Sequence, residues 1–192
     1  MKITPYISLD LETTGLVHEN PQILQIGAIF NTFEKDKLPN VFNVIVDNGN
    51  ELHGNPYALS MNKWILDMVL DSRKGISTKI TVIPLEIAKI AWTQWLEFCQ
   101  EKTGQKHLTV AGKNVAGFDI PILSQNGFDV SKFRHRVIDP GSMYFTDFGY
   151  VPSLDEIAKL LNLQEVSHNA LDDAFMVDRA ISHKLQGIKH ED

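Results

Sequence analysis

The stretch YISLDLET, residues 6–13, constrains this chain more than any other. Tyr6, Ile7, Leu9 and Leu11 are what an interior β-strand requires, and Gly15 shortly afterwards is a natural stop. Yet Asp10 and Glu12 lie two residues apart near its end, so the pleat aims both carboxylates at one face of a sheet. Two such groups repel, and burying them unpaired is expensive. A chain that keeps them needs compensating charge at a strand end, which is where active sites gather in α/β sheets.

Strand and helix signals interleave along the rest of the chain. A first strand is expected over residues 4–10, with QILQIGAIFN (22–31) and NVFNVIVD (40–47) as a second and a third, joined through the turn-rich EKDKLPN. Residues 50–80 are the least legible, with a helix expected from Ala58 to Leu70. Pro84 stands where helices begin, and LEIAKIAWTQWLEFCQ follows with apolar residues at helical spacing. HLTVAG reads as a strand, DIPILSQNG as a short helix closed by Gly127, and HRVID as a fifth strand. Ser153, with Glu156 three residues on, heads SLDEIAKLLNL as a capping box, and a last helix is expected over Ala170–Lys184. Strands first and strand–helix alternation later predict an α/β fold, a mixed five-stranded sheet with helices on both faces.

At 192 residues and 43% hydrophobic, the chain suits one domain over residues 1–186 with a polar tail at 187–192. No apolar run approaches the roughly 18 residues of a membrane helix. The opening MKITPYISLDLE meets acid at Asp10, unlike a signal peptide, and Cys99 stands alone in an apolar helix as a core residue. These features fit a reducing cytoplasm. With 18 Lys and Arg against 24 Asp and Glu, the net charge of −6 argues against gripping long duplexes by charge. Contact with a few nucleotides stays open where metal ions neutralise an acidic site.

Three segments place acid beside an apolar element. They are Asp10 with Glu12; Asp119, after a Gly-Phe turn in AGKNVAGFDIPIL; and Asp172 with Asp173, after His168 in SHNALDDAFMVD. Singly each has a plain explanation: a carboxylate at a helix start caps it or offsets its dipole, and a histidine there is commonly a surface residue. Together, Asp10, Glu12, Asp119 and one acid of the last helix are the hard oxygen ligands that Mg²⁺ or Mn²⁺ prefer. Two such ions suit an in-line phosphoryl displacement.

The three segments resemble the motifs of the DEDDh family, the DnaQ-like 3′→5′ exonucleases of the ribonuclease H-like superfamily, whose relatives include proofreading subunits, RNase T and oligoribonuclease. LDLETTGL resembles the first motif, NVAGFD the second, with Asn114, Phe118 and Asp119, and HNALDDA the third, an H-x-A-x-x-D pattern that selects His168, Ala170 and Asp173. The resemblance implies a ribonuclease H-like fold in which Asp10, Glu12, Asp119 and Asp173 hold two Mg²⁺ (or Mn²⁺) ions and His168 takes the proton of the attacking water. It implies substrate contacts at Thr13, Thr14, Leu16, Asn114 and Phe118. The activity implied is release of 5′-mononucleotides from single-stranded DNA or RNA 3′ ends, with an RNA- or short-oligonucleotide-specific enzyme as the nearer alternative. A catalytically inactive binding module of the same fold is the alternative of another class. Two positions depart from the pattern: Gln25 stands where relatives commonly carry Glu, and Lys113 where the second motif often has His.

Overall fold

A computed structural model describes residues 3–34, 40–163 and 168–188. Its strands are β1 (Tyr6–Thr13), β2 (Ile23–Asn31), β3 (Asn40–Asp47), β4 (Thr81–Pro84) and β5 (Thr109–Ala111). Its helices are α1 (Pro56–Met61), α2 (Lys63–Arg73), α3 (Leu85–Thr103), α4 (Asp119–Gln125), α5 (Pro140–Met143), α6 (Phe145–Phe148), α7 (Leu154–Leu160) and α8 (Ala170–Ile188). The strands form one mixed sheet in the order β4-β3-β2-β1-β5. β1 to β3 make an antiparallel meander, and the two outer strands run parallel to their neighbours.

Side-chain alternation sorts the two faces. Ile7, Leu9 and Leu11 of β1 join Ile26, Ala28 and Phe30 of β2 in the larger core, against Ala88, Trp92, Trp95, Leu96 and Cys99 of α3 and Ile122 and Leu123 of α4. Phe42, Trp92 and Trp95 pack ring on ring there. Burial pushes the Cys99 thiol up to about 12, so this cysteine is an inert core residue, as its sequence context implied. On the opposite face α8 lies over β1 and β2, and α2 covers Leu24 and Ile45 with Ile65 and Val69.

Several element boundaries differ from the sequence reading. β1 continues past residue 10 to Thr13, because Leu11 and Glu12 still pair with Ile26 and Gln25. The fifth strand is β4, not HRVID. Between the bridges Leu108↔Phe133 and Ala111↔Ile138, β5 advances three residues and the 133–138 segment five, so the extra residues loop outward and break the ladder. The helix expected over 58–70 is two helices, broken at Asn62, whose backbone (φ −92°, ψ 17°) leaves the helical region. The expected capping box forms: Ser153 Oγ accepts the Glu156 amide, and the Glu156 carboxylate accepts the Ser153 amide. α8 runs on to Ile188; residues 189–192 of the polar tail and 35–39 of EKDKLPN lie outside the described residues.

Candidate active site

The site forms where the end of β1 meets the start of α8. Gly27 of β2 pairs with Asp10, and a Cβ there would lie 2.2 Å from the backbone of Ala170 and Leu171. Only a glycine lets α8 rest so closely on the sheet. That approach brings Asp173, one turn into the helix, over the two acids of β1. Carboxylate oxygens of Asp10, Glu12 and Asp173 all lie within 4.8 Å of one another.

Asp119 reaches Asp10 from another direction. β5 stops opposite Ser8, and beyond that point the Leu11 amide donates to the Asp119 carboxylate rather than to a strand. Asp119 is 2% exposed, and its Oδ1 has no hydrogen-bond partner. Burial pushes Asp119 up to about 8, with Glu12 adding repulsion against the backbone amides that favour the charged form. Burial and Asp173 push Glu12 up to about 7, while the Asn62 side chain opposes the shift. Asp10 is raised well above the carboxylate range by burial, then by Asp119, Asp173 and Glu12. Three acids raised by burial and by their acidic neighbours, Asp173 among those neighbours, with all-oxygen donors and one orphaned buried oxygen, are the chemistry a hard divalent cation fits.

His168 stands outside this cluster, exposed, in left-handed backbone (φ 52°) on the turn into α8. Asn169 caps the helix, its Oδ1 accepting the amides of Leu171 (3.1 Å) and Asp172 (3.4 Å). Gln25, fully buried and opposite Glu12, secures this turn: its Oε1 accepts the Ala170 amide at 3.1 Å. Its Nε2 donates to Asn43 Oδ1 at 2.9 Å and to Asn169 Oδ1 at 3.3 Å. The departure from glutamate therefore leaves a tether that a carboxylate, having no donors, cannot copy.

A pocket of about 480 Å³ opens beside the acids, lined among others by Glu12, Thr13, Leu16 and Phe118. Leu16 is 53% exposed and Phe118 half-buried, so both present apolar surface to it. The threonine side chains face inward: Thr13 Oγ1 donates to Gly15 O, and Thr14 Oγ1 accepts the Gln22 amide. Asn114 (φ 55°) does not line the pocket; its carbonyl accepts the amides of Gly117 and Phe118 and so builds the turn that delivers Asp119. The far wall, Tyr57, Met61 and Asn62 around α1, was missed in the sequence reading. Asn55-Pro56 was its available signal, an N-cap followed by a proline at the first helical position. Asn62 Nδ2 donates to Thr13 O at 3.2 Å and ties that wall to β1.

With this geometry in place, residues 5–184 match the family described as the 3′-5′ exoribonuclease Rv2179c-like domain. The chain belongs to that family. No curated protein is significantly similar to it in sequence. Among solved structures, cell-death related nuclease 4 (CRN-4) aligns over 96% of this chain with a TM-score of 0.68 and 12% identity. The chain spans 64% of that nuclease's length. At such identity the likeness is one of fold, and it bears out the ribonuclease H-like α/β sheet expected from the motifs. Family membership supports a nuclease, and no helix among the described residues is long and apolar enough to cross a membrane.

Proposed function

We propose that this member of the exoribonuclease family removes 5′-mononucleotides one at a time from the 3′ ends of single-stranded RNA. The observation that carries the reading is the convergence of Asp10, Glu12 and Asp173, with the orphaned, buried Asp119 raising Asp10, next to a pocket of nucleotide size that Glu12 lines. Asp10, Glu12, Asp119 and Asp173 would hold two Mg²⁺ or Mn²⁺ ions, which when bound supply Lewis-acid stabilisation of the charge developing on the phosphate. Leu16 and Phe118 bracket the terminal nucleotide by apolar contact, and the backbone of the Thr13–Gly15 turn receives its sugar. His168, on the exposed turn before α8, accepts the proton of the attacking water on the free nitrogen of its neutral imidazole. A binding module of the same fold would have no use for four mutually repelling acids, so the catalytic reading is preferred.

End-labelled RNA and DNA single strands, with Mg²⁺ and with chelator, test the proposal. Stepwise loss of mononucleotides from the 3′ end, faster on RNA and silent in chelator, is the expected pattern. His168→Ala should slow it by roughly 10²–10⁴-fold and flatten the rise of rate with pH that a base active only when neutral produces. Early internal cuts, or digestion from the 5′ end, would refute it.

A further inference from the structure

A second concavity, of about 520 Å³, lies along the β5 edge of the sheet and is lined by Lys106, His107, Arg134, His135 and Arg136 together with Phe133. All five basic residues are exposed. The chain carries a net charge of −6 and only four arginines, and two of them meet here with two of its seven histidines. Among the described residues none of the five makes an ion pair, whereas neighbouring Lys132 is paired with Glu97 at 3.0 Å. Arg134 Nε donates to His107 O at 3.0 Å, which locks the two sides of the groove together and fixes one guanidinium. Concentrated positive charge without acids is an uncompensated arrangement, and it matches a ligand that brings regularly spaced anions. Arginine forks suit phosphate in particular.

Position narrows the ligand further. Thr109 of β5 pairs with Tyr6, at the opposite end of β1 from the acids, and Tyr6 to Asp10 spans roughly 13 Å of strand. From the groove, β5 runs through Gly112 and Lys113 to the turn that delivers Asp119. One edge of the sheet thus leads from the basic concavity to the acid cluster, with a lysine between. Phe133 is half-buried, packed against the core and T-shaped to Trp92 at 6.1 Å between centroids, so the exposed basic side chains make up most of what the groove offers a ligand.

We infer that this groove binds the phosphodiester backbone of a single-stranded RNA several nucleotides upstream of the 3′ end held at the acid cluster, making long strands better substrates than dinucleotides. The inference rests on the proposed reading for the direction of the strand, but the groove's affinity for RNA does not depend on catalysis. Fluorescence anisotropy in chelator measures that affinity, with a dinucleotide and an RNA of about ten nucleotides, a length within the range single-strand grooves cover. The variant Lys106→Gln with Arg136→Gln removes two charges and leaves the Arg134 anchor in place. Its binding of the longer RNA should weaken at least several-fold, and the slope of log affinity against log salt should flatten by about 1.4, since each phosphate contact contributes about 0.7 on single strands. The ratio of longer-strand to dinucleotide hydrolysis in Mg²⁺ should fall in step.

Unchanged affinity and slope, in a protein that still trims 3′ ends, would overturn the groove and spare the nuclease reading. Salt-sensitive binding that the variant loses, in a protein that cuts nothing, would support the groove while the nuclease reading fails. Displacement of RNA failing while polyglutamate binds tightly would assign the surface to an acidic protein partner and overturn the inference.

Discussion

β1 and α8 meet at two acids of the helix, and the two contacts are built on opposite principles. At the start of the strand, Asp178 accepts hydrogen bonds from Tyr6 Oη and from Asn31 Nδ2, each at 2.7 Å. Toward its end, Asp173, five residues earlier on the same helix and so roughly 7.5 Å along its axis, faces Asp10 and Glu12. The first acid is given donors and needs nothing further. The second faces other acids across the interface, and a cation from outside would offset their repulsion. A buried carboxylate with protein donors belongs to the fold, whereas one with carboxylate neighbours belongs to a site.

The largest test of this contrast is neutralisation at the frustrated end. Asp10→Asn, Asp119→Asn and Asp173→Asn should each abolish hydrolysis, as should chelation of the wild type, while circular dichroism shows the fold retained. Asp172 is exposed one position away, about 100° around the helix, and Asp172→Asn should keep most activity. Loss at Asp172 with activity kept at Asp173 would mean that the third motif has been misaligned.

The same acids predict how the metal-free protein responds to pH. Glu12 titrates near 7 and Asp119 near 8 in the fold, against ordinary values of 4.5 and 3.8 in the unfolded chain. Between those limits the native state binds more protons than the unfolded one, so stability falls as pH rises from about 4 to about 8. Melting in chelator should therefore show a Tm that drops across this window. Asp119→Asn should flatten the drop, and saturating Mg²⁺ should remove it. A Tm independent of pH in chelator would show that the acids do not destabilise one another.

A smaller effect is expected at Gln25, which holds the turn bearing His168 and Asn169. In Gln25→Glu the carboxylate can still accept the Ala170 amide, but it confronts the oxygens of Asn43 and Asn169 that Nε2 now satisfies. The cap on α8 should loosen and the turn shift, lowering kcat by about tenfold with little change in KM. Mn²⁺ affinity measured by calorimetry separates this from damage to the acids: a positioning role leaves it near wild type, and a large fall would place Gln25 among the residues that shape the cluster itself.

The acids of β1, the helix start at Asp119, the Ser153 cap and the last helix from Ala170 were legible in the sequence because each is a local pattern. What escaped depends on contacts across the chain. β4 is four residues long and half-exposed, and it reads as a strand only once β3 lies beside it. Asn62 splits a helical pattern where its side-chain amide donates to the Thr13 carbonyl, 49 residues earlier. The Gln25 tether spans 145 residues to Ala170. HRVID has the composition of a strand, yet its exposed His135 and Arg136 find more favourable surroundings looped out to solvent than in a ladder.

The smallest expected effect lies at the satisfied end, and its sign carries the argument. Tyr6 is 1% exposed, and burial together with Asp178 pushes its hydroxyl's pKa upward, so it donates as a neutral group at any ordinary pH. Tyr6→Phe keeps the ring and its edge-to-face contact with Phe33, 5.6 Å between centroids, and removes the hydroxyl with its 2.7 Å bond to the Asp178 carboxylate and its two longer bonds, at 3.5 Å, to Asp178 O and from Asn31 Nδ2. Asp178 then keeps Asn31 as a donor but loses its other one, a loss worth about 1–3 kcal/mol for a charged acceptor. Chemical denaturation should show that destabilisation with an unchanged m-value, and RNA hydrolysis at a permissive temperature should match wild type. Asp173→Asn in chelator should move stability the other way. If both substitutions destabilise alike, the two ends of the interface are built on one principle, and the distinction between a fold acid and a site acid fails here.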